Sequence, residues 1–241
     1  MDILTRVEAF VTELYNNNTP ETLYFHRIDH TQGVVEASKL IGAKVGLNKE
    51  EMEILLIASW FHDVGYTRSI EKHEEISIEI AGNFLEAEEY DSHETQRVLD
   101  SIAATKIPQK PSNNIEAVLC DADMIHLSDE YFIEITTLMR KELNASLSKK
   151  LNKIEYLKIT IDFFDSHKYH TAYGKEELSV GKEKNRKKLV KRLGKHEMKL
   201  KKEEKISHVS SESNSGKQND KSDKIKAPTR GVESMFRLTA N

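Results

Sequence analysis

The sequence predicts an all-α fold on three observations: apolar residues recur at three- and four-residue intervals through the first 175 positions, no segment alternates with a strand's period of two, and the breaks between periodic stretches are short. Ile3, Val7, Phe10, Val11 and Leu14 form the first amphipathic stripe, closed by the Asn-rich, Pro-ended residues 16–20. After residues 23–28, a second stripe runs through Val34, Val35, Ala37, Leu40 and Ile41 and is expected to stop between Gly42 and Gly46. A third helix begins near Asn48, with Glu50 and Glu51 where their charge complements the helix dipole, and runs through EMEILLIASWFHDVG. Residues 73–89 and 98–104 continue the helical period, Pro108 and Pro111 mark a loop, and NIEAVLCDADMIHL, residues 131–147 and residues 151–164 complete the predicted helices.

Composition divides the 241 residues. The 38% hydrophobic content is concentrated before position 175, so residues 1–180 are expected to form the cored domain. Residues 181–206 are read as a basic helical connector, 207–227 as a disordered Ser, Asn, Lys and Asp linker, and 228–241 as the start of a truncated C-terminal segment. The net charge of −4 conceals an asymmetry, because residues 182–205 hold 12 Lys and Arg against 4 Glu, a local +8 that leaves −12 elsewhere. That stretch lacks interleaved aromatics and any recognisable nucleic-acid module, so no nucleic-acid partner is expected.

A single cysteine, Cys120, excludes an internal disulfide, and the N-terminus lacks the basic and apolar regions of a signal peptide. No stretch approaches the roughly 20 apolar residues of a membrane span. A cytoplasmic location is the resulting expectation, with homo-oligomerisation left open.

The chemistry centres on His62 and Asp63, which end the apolar run ILLIASWF. Two ionisable groups on a buried helix cost on the order of several kcal/mol unless something compensates them. His30, in YFHRIDHTQGVV, and Asp121, in AVLCDADMI, sit in comparably apolar settings on two other predicted helices. A divalent cation would compensate all four, since imidazoles and carboxylates suit Mn, Fe, Co, Ni, Zn or Mg. A hydrogen-bonded core would compensate them too, and in a chain with ten histidines the dipeptide alone does not separate the two.

The order His30, His62-Asp63, Asp121 resembles the H…HD…D signature of the HD superfamily of metal-dependent phosphohydrolases. YFHRIDHTQGVV, WFHDVGY, HEEISIEIA and LCDADM are similar to that family's successive helices, and FFDSHKYHTAYGKE to a phrase near the end of many members. The resemblance covers about residues 20–175 and implies an HD-type helical bundle. It implies one divalent metal ion held by His30, His62, Asp63 and Asp121, with Asp63 also orienting the attacking water. The implied activity is hydrolysis of a nucleotide or other small phosphate ester, the cation activating water and withdrawing charge from phosphorus.

Departures limit the resemblance. His73 stands where two-metal members carry a further histidine, but Ala104 or Thr105 replaces another, so a full second metal site is not expected. Tyr66 occupies the position where some single-metal nucleotidases have a catalytic acid, leaving Glu74 as the fallback acid or base. His26, Arg27, His73 and Lys106 are the candidates to grip substrate phosphate, and His167 and His170 are placed outside the ligand set. The final words, APTRGVESMFRLTAN, resemble the entry to the membrane domain of Pycsar effector proteins. That resemblance implies an alternative function, a cyclic-nucleotide-sensing cytoplasmic module of an antiviral effector, tethered to the membrane only through a segment absent from this chain.

Overall fold

The computed structural model describes residues 1–212, with side chains described through residue 206. Among the described residues the chain is helical without strands: α1 Ile3–Asn18, α2 Ile28–Val45, α3 Lys49–Phe61, α4 His73–Ala87, α5 Ser92–Ala104, α6 Asn114–Asp123, α7 Phe132–Ser146, α8 Lys153–Ser166 and α9 Ser179–Glu212. No helix among them is long and apolar enough to cross a membrane.

The central element is α3. Its start is fixed by a capping box, in which the Asn48 side chain accepts from the Glu51 N–H and the Glu51 carboxylate accepts from the Asn48 N–H. Every residue from Ile54 to Phe61 is buried, so the helix is apolar all round and must be enclosed. Helices α1, α2, α4, α5 and α6 pack against it. The only polar member of that buried run, Ser59, donates to the Leu55 carbonyl and meets Ser38 of α2 at 2.8 Å. His62 keeps helical dihedrals as the cap of α3, and Asp63, at φ −115° and ψ 5°, turns the chain into a 3-10 turn, Val64–Thr67.

Helix α2 ends at Val45, inside the expected window between Gly42 and Gly46. Gly42 is buried against Met52 of α3, where a Cβ would lie 2.8 Å from the Met52 methyl, so this glycine serves close packing and the chain turns at Gly46 with φ +84°. Helix α5 begins six residues earlier than the apolar stripe at Val98 suggests, because Asp91 caps it by accepting from the His93 and Glu94 N–H groups.

Helix α9 starts at Ser179 and runs through Glu212, six residues into the stretch read as linker. Its opening turns are packed against the domain, with Leu189 buried and the Asn185 amide donating to the Leu127 and Asp129 carbonyls. Val190 and Met198, farther along the same helix, are exposed. Residues 213–241, including most of the expected linker and the whole of the 228–241 segment, lie outside the described residues.

Candidate metal centre

Three segments bring four side chains together at the end of α3. His30 lies in the first turn of α2, His62 and Asp63 follow α3, and Asp123 is the last residue of α6. One ligand atom from each lies within 4.8 Å of the others. The His30 Nε2 is 3.3 Å from Asp63 Oδ2 and 3.4 Å from Asp123 Oδ1, and the His62 Nε2 is 3.3 and 3.7 Å from the same two atoms.

The donor set fits a divalent cation. The Nε2 atoms of both His30 and His62 are buried without a hydrogen-bond partner, a costly arrangement for two polar atoms unless an ion takes their lone pairs. The His62 ring is held by its other nitrogen, Nδ1, 2.8 Å from the Ser59 carbonyl, which fixes that nitrogen as the donor and leaves Nε2 as the ligand. Two imidazoles and two carboxylates satisfy the preferences of the borderline divalent metals.

Electrostatics follow from the same contacts. Burial opposes a charge on His30, but Asp123 and Asp63 outweigh it and raise its pKa to about 9. His62 is raised for the same reason, burial again opposing and Asp63 prevailing. Burial would raise the Asp63 carboxyl, yet the positive charge on His62 and the closeness of the His30 and His62 rings hold it well below the usual carboxylate range. Asp123 is lowered likewise, with His30 as the principal partner overcoming burial.

The structure corrects one ligand. Asp121, expected to bind the metal, is buried two residues before Asp123 and is fully engaged elsewhere. Its Oδ1 accepts from the His170 N–H at 2.7 Å, and its Oδ2 accepts from the Thr171 N–H at 2.9 Å and the Thr171 hydroxyl at 2.7 Å. Asp121 therefore ties the YHTAYG segment to α6, and Gly174 closes over it so tightly that a Cβ there would lie 2.3 Å from Asp121 Oδ2. Successive residues two apart project about 200° apart around a helix, so the two aspartates of CDAD serve opposite sides of α6.

Of the other expected site residues, His73 comes nearest to the cluster's carboxylates. His73, buried at the start of α4, has its Nε2 3.8 Å from Asp63 Oδ1 and its Nδ1 3.1 Å from the Ile70 carbonyl. Glu74 flanks it, with Oε2 3.6 Å from His73 Nδ1. Thr105 donates its hydroxyl to the Ile102 carbonyl and offers no ligand. His26 stacks on Tyr66 at 4.2 Å between ring centroids, and Tyr66 stacks on His73 at 4.0 Å, so the tyrosine is a spacer between two imidazoles beside Asp63. Arg27 is exposed as the residue before α2. Lys106 is paired with Glu75 in a partly exposed ion pair.

Sequence reasoning missed two further side chains. Glu142 of α7 is buried and accepts from the N–H groups of Tyr24, Phe25 and His26 as well as pairing with the His26 Nδ1. His126, three residues after Asp123, gives its Nδ1 to the Asp123 carbonyl at 2.9 Å and keeps a buried, unpartnered Nε2, and burial pulls its pKa down to about 4. The i to i−3 contact of His126 repeats that of His62 and His73, a spacing visible in the sequence only once the helix ends are placed.

Residues 27–128 match the family described as HD domain. None of the curated proteins and none of the solved structures matches the chain. The matched span contains His30, His62, Asp63 and Asp123, and it excludes α7, α8 and α9.

Proposed function

With an HD domain of the metal-dependent phosphohydrolase superfamily at residues 27–128, we propose that this protein hydrolyses a nucleotide or another small phosphate ester at the His30, His62, Asp63 and Asp123 cluster. The observation that carries this reading is the pair of buried, unpartnered imidazole nitrogens facing two carboxylates. Bound there, a divalent cation supplies a water-derived nucleophile near neutral pH and withdraws charge from the phosphoryl group.

The residues of the chain set the stage for that chemistry. His62, locked by Ser59, and His30, placed by the first turn of α2, provide the nitrogen ligands. Asp63 lies within 3.8 Å of three imidazoles, His30, His62 and His73, so it both binds the cation and orients groups on the His73 side. His26 and His73 flank Tyr66 and offer ring nitrogens to phosphoryl oxygens or to the leaving group. Glu74, next to His73, is the carboxyl placed to exchange a proton with it.

The test is a panel of nucleotides and model phosphomonoesters and phosphodiesters with Mn, Co or Ni added to the full chain. Turnover should exceed that of a His62→Ala, Asp63→Ala control by orders of magnitude. Rates equal to the control across the panel would remove this reading.

A further inference from the structure

Seven arginines lie among the described residues, and Arg6, Arg68, Arg97 and Arg186 each sit against a carboxylate. Arg27, Arg140 and Arg192 have no carboxylate partner among the described residues, and two of these three line the same cavity. That cavity, about 240 Å³, lies among α7, α8 and α9. Arg140 of α7, Lys153 of α8, and Arg192 and His196 of α9 surround it, with Thr136 and Thr137 supplying hydroxyls.

No carboxylate lines this cavity. Two others contrast with it: one is lined by Glu8 and Glu36, the other by Glu79 and Glu86. Unpaired cations brought together from three helices repel one another, and nothing on the cavity wall offsets that repulsion. Guanidinium groups present paired N–H donors matched to phosphate oxygens, so a dense anion is the ligand chemistry that resolves the arrangement. The basic character of α9, unexplained by the metal centre, is here put to use.

We propose that this cavity is a second ligand site that binds a small oligophosphate, such as pyrophosphate or the phosphate tail of a nucleotide. Its volume lies below the roughly 300–1,000 Å³ of pockets that enclose drug-sized molecules, so it takes phosphate groups and leaves any larger part of the ligand outside. None of its lining residues belongs to the metal centre or to the matched residues 27–128, so the two sites are separable by mutation.

Calorimetric titration of the full, chelator-treated chain with pyrophosphate and with tripolyphosphate tests the proposal. The expected result is binding that weakens with salt, loses at least about tenfold in affinity in Arg140→Gln, Arg192→Gln, and is unchanged in His62→Ala, Asp63→Ala. Arg192 is exposed, so Arg192→Gln alone serves as a folded variant should the double change perturb the helices, and it should lose part of the same affinity. No binding, equal binding by the arginine variants, or binding lost only in the metal-centre variant would each overturn the proposal. Retention on vesicles rich in phosphatidic acid, without binding of either free oligophosphate, would also overturn it by assigning the phosphate chemistry to a lipid headgroup.

Discussion

Glu142 of α7 pairs with the Nδ1 of His26 across 116 positions of sequence, and the carboxylate also accepts from three consecutive backbone N–H groups, those of Tyr24, Phe25 and His26. The pair is buried on both sides. Burial works against the carboxylate, but His26 and these N–H groups lower its pKa, so it stays ionised and orients the ring. Glu142→Gln should therefore lower kcat by about 10–100-fold, the range typical of groups that orient catalytic or ligating histidines, while metal content is unchanged. Steady-state kinetics alongside metal analysis on the same preparation check this, and loss of bound metal would contradict it.

The two aspartates of α6 should separate cleanly. Asp123→Asn removes a ligand and should weaken divalent metal binding by more than about 100-fold. Asp121→Asn should leave metal stoichiometry intact. Its amide nitrogen would face an N–H or hydroxyl donor where an oxygen now accepts, costing about 1–3 kcal/mol and several degrees of Tm. The reverse pattern would return Asp121 to the ligand set.

Metal binding should tighten with rising pH. His30 in the metal-free protein is raised to about 9 and His62 is raised as well, so below that value a cation must displace at least the His30 proton, and affinity should climb at least about tenfold per pH unit between pH 7 and 9. The stability sign runs the same way. A folded-state pKa above the ordinary value near 6.5 stabilises the metal-free fold fully below about 6.5, and that contribution is lost as pH rises through about 9. The gap in Tm between metal-loaded and chelated protein should consequently widen toward alkaline pH, as thermal melts at pH 6 and 9 will show.

Gly65 should tolerate no side chain. A Cβ there would lie 2.0 Å from the His73 carbonyl oxygen, because the turn after Asp63 runs against the start of α4. Gly65→Ala should cost about 3 kcal/mol, the upper part of the usual overpacking range, or displace His73 from Asp63. A melting curve and a pH profile of turnover distinguish these effects from an unperturbed site.

The helical class, the Asn48 start of α3 and three members of the cluster were legible because each depends on local pattern: apolar period, cap chemistry and an ionisable pair ending a buried run. The choice between Asp121 and Asp123 was not. Both follow the same apolar run, and what claims Asp121 is the backbone of His170 and Thr171, about 50 residues away. Glu142 escaped for a similar reason, since its partners lie near position 25 and its own neighbours on α7 are unremarkable in sequence. Of the two glycines bounding the expected end of α2, Gly46 makes the turn, while the missing Cβ of Gly42 admits Met52, a role that depends on α3 and has no local signal.

The Asn185 amide of α9 is bonded to the carbonyls of Leu127 and Asp129, on the turn that directly follows the ligand Asp123. Over its 34 residues α9 extends for about 50 Å, and much of its surface beyond Leu189 is exposed. One amide thus fastens the long helix to the short stretch of chain after Asp123, so the placement of α9 and the placement of the Asp123 carboxylate share a single anchor.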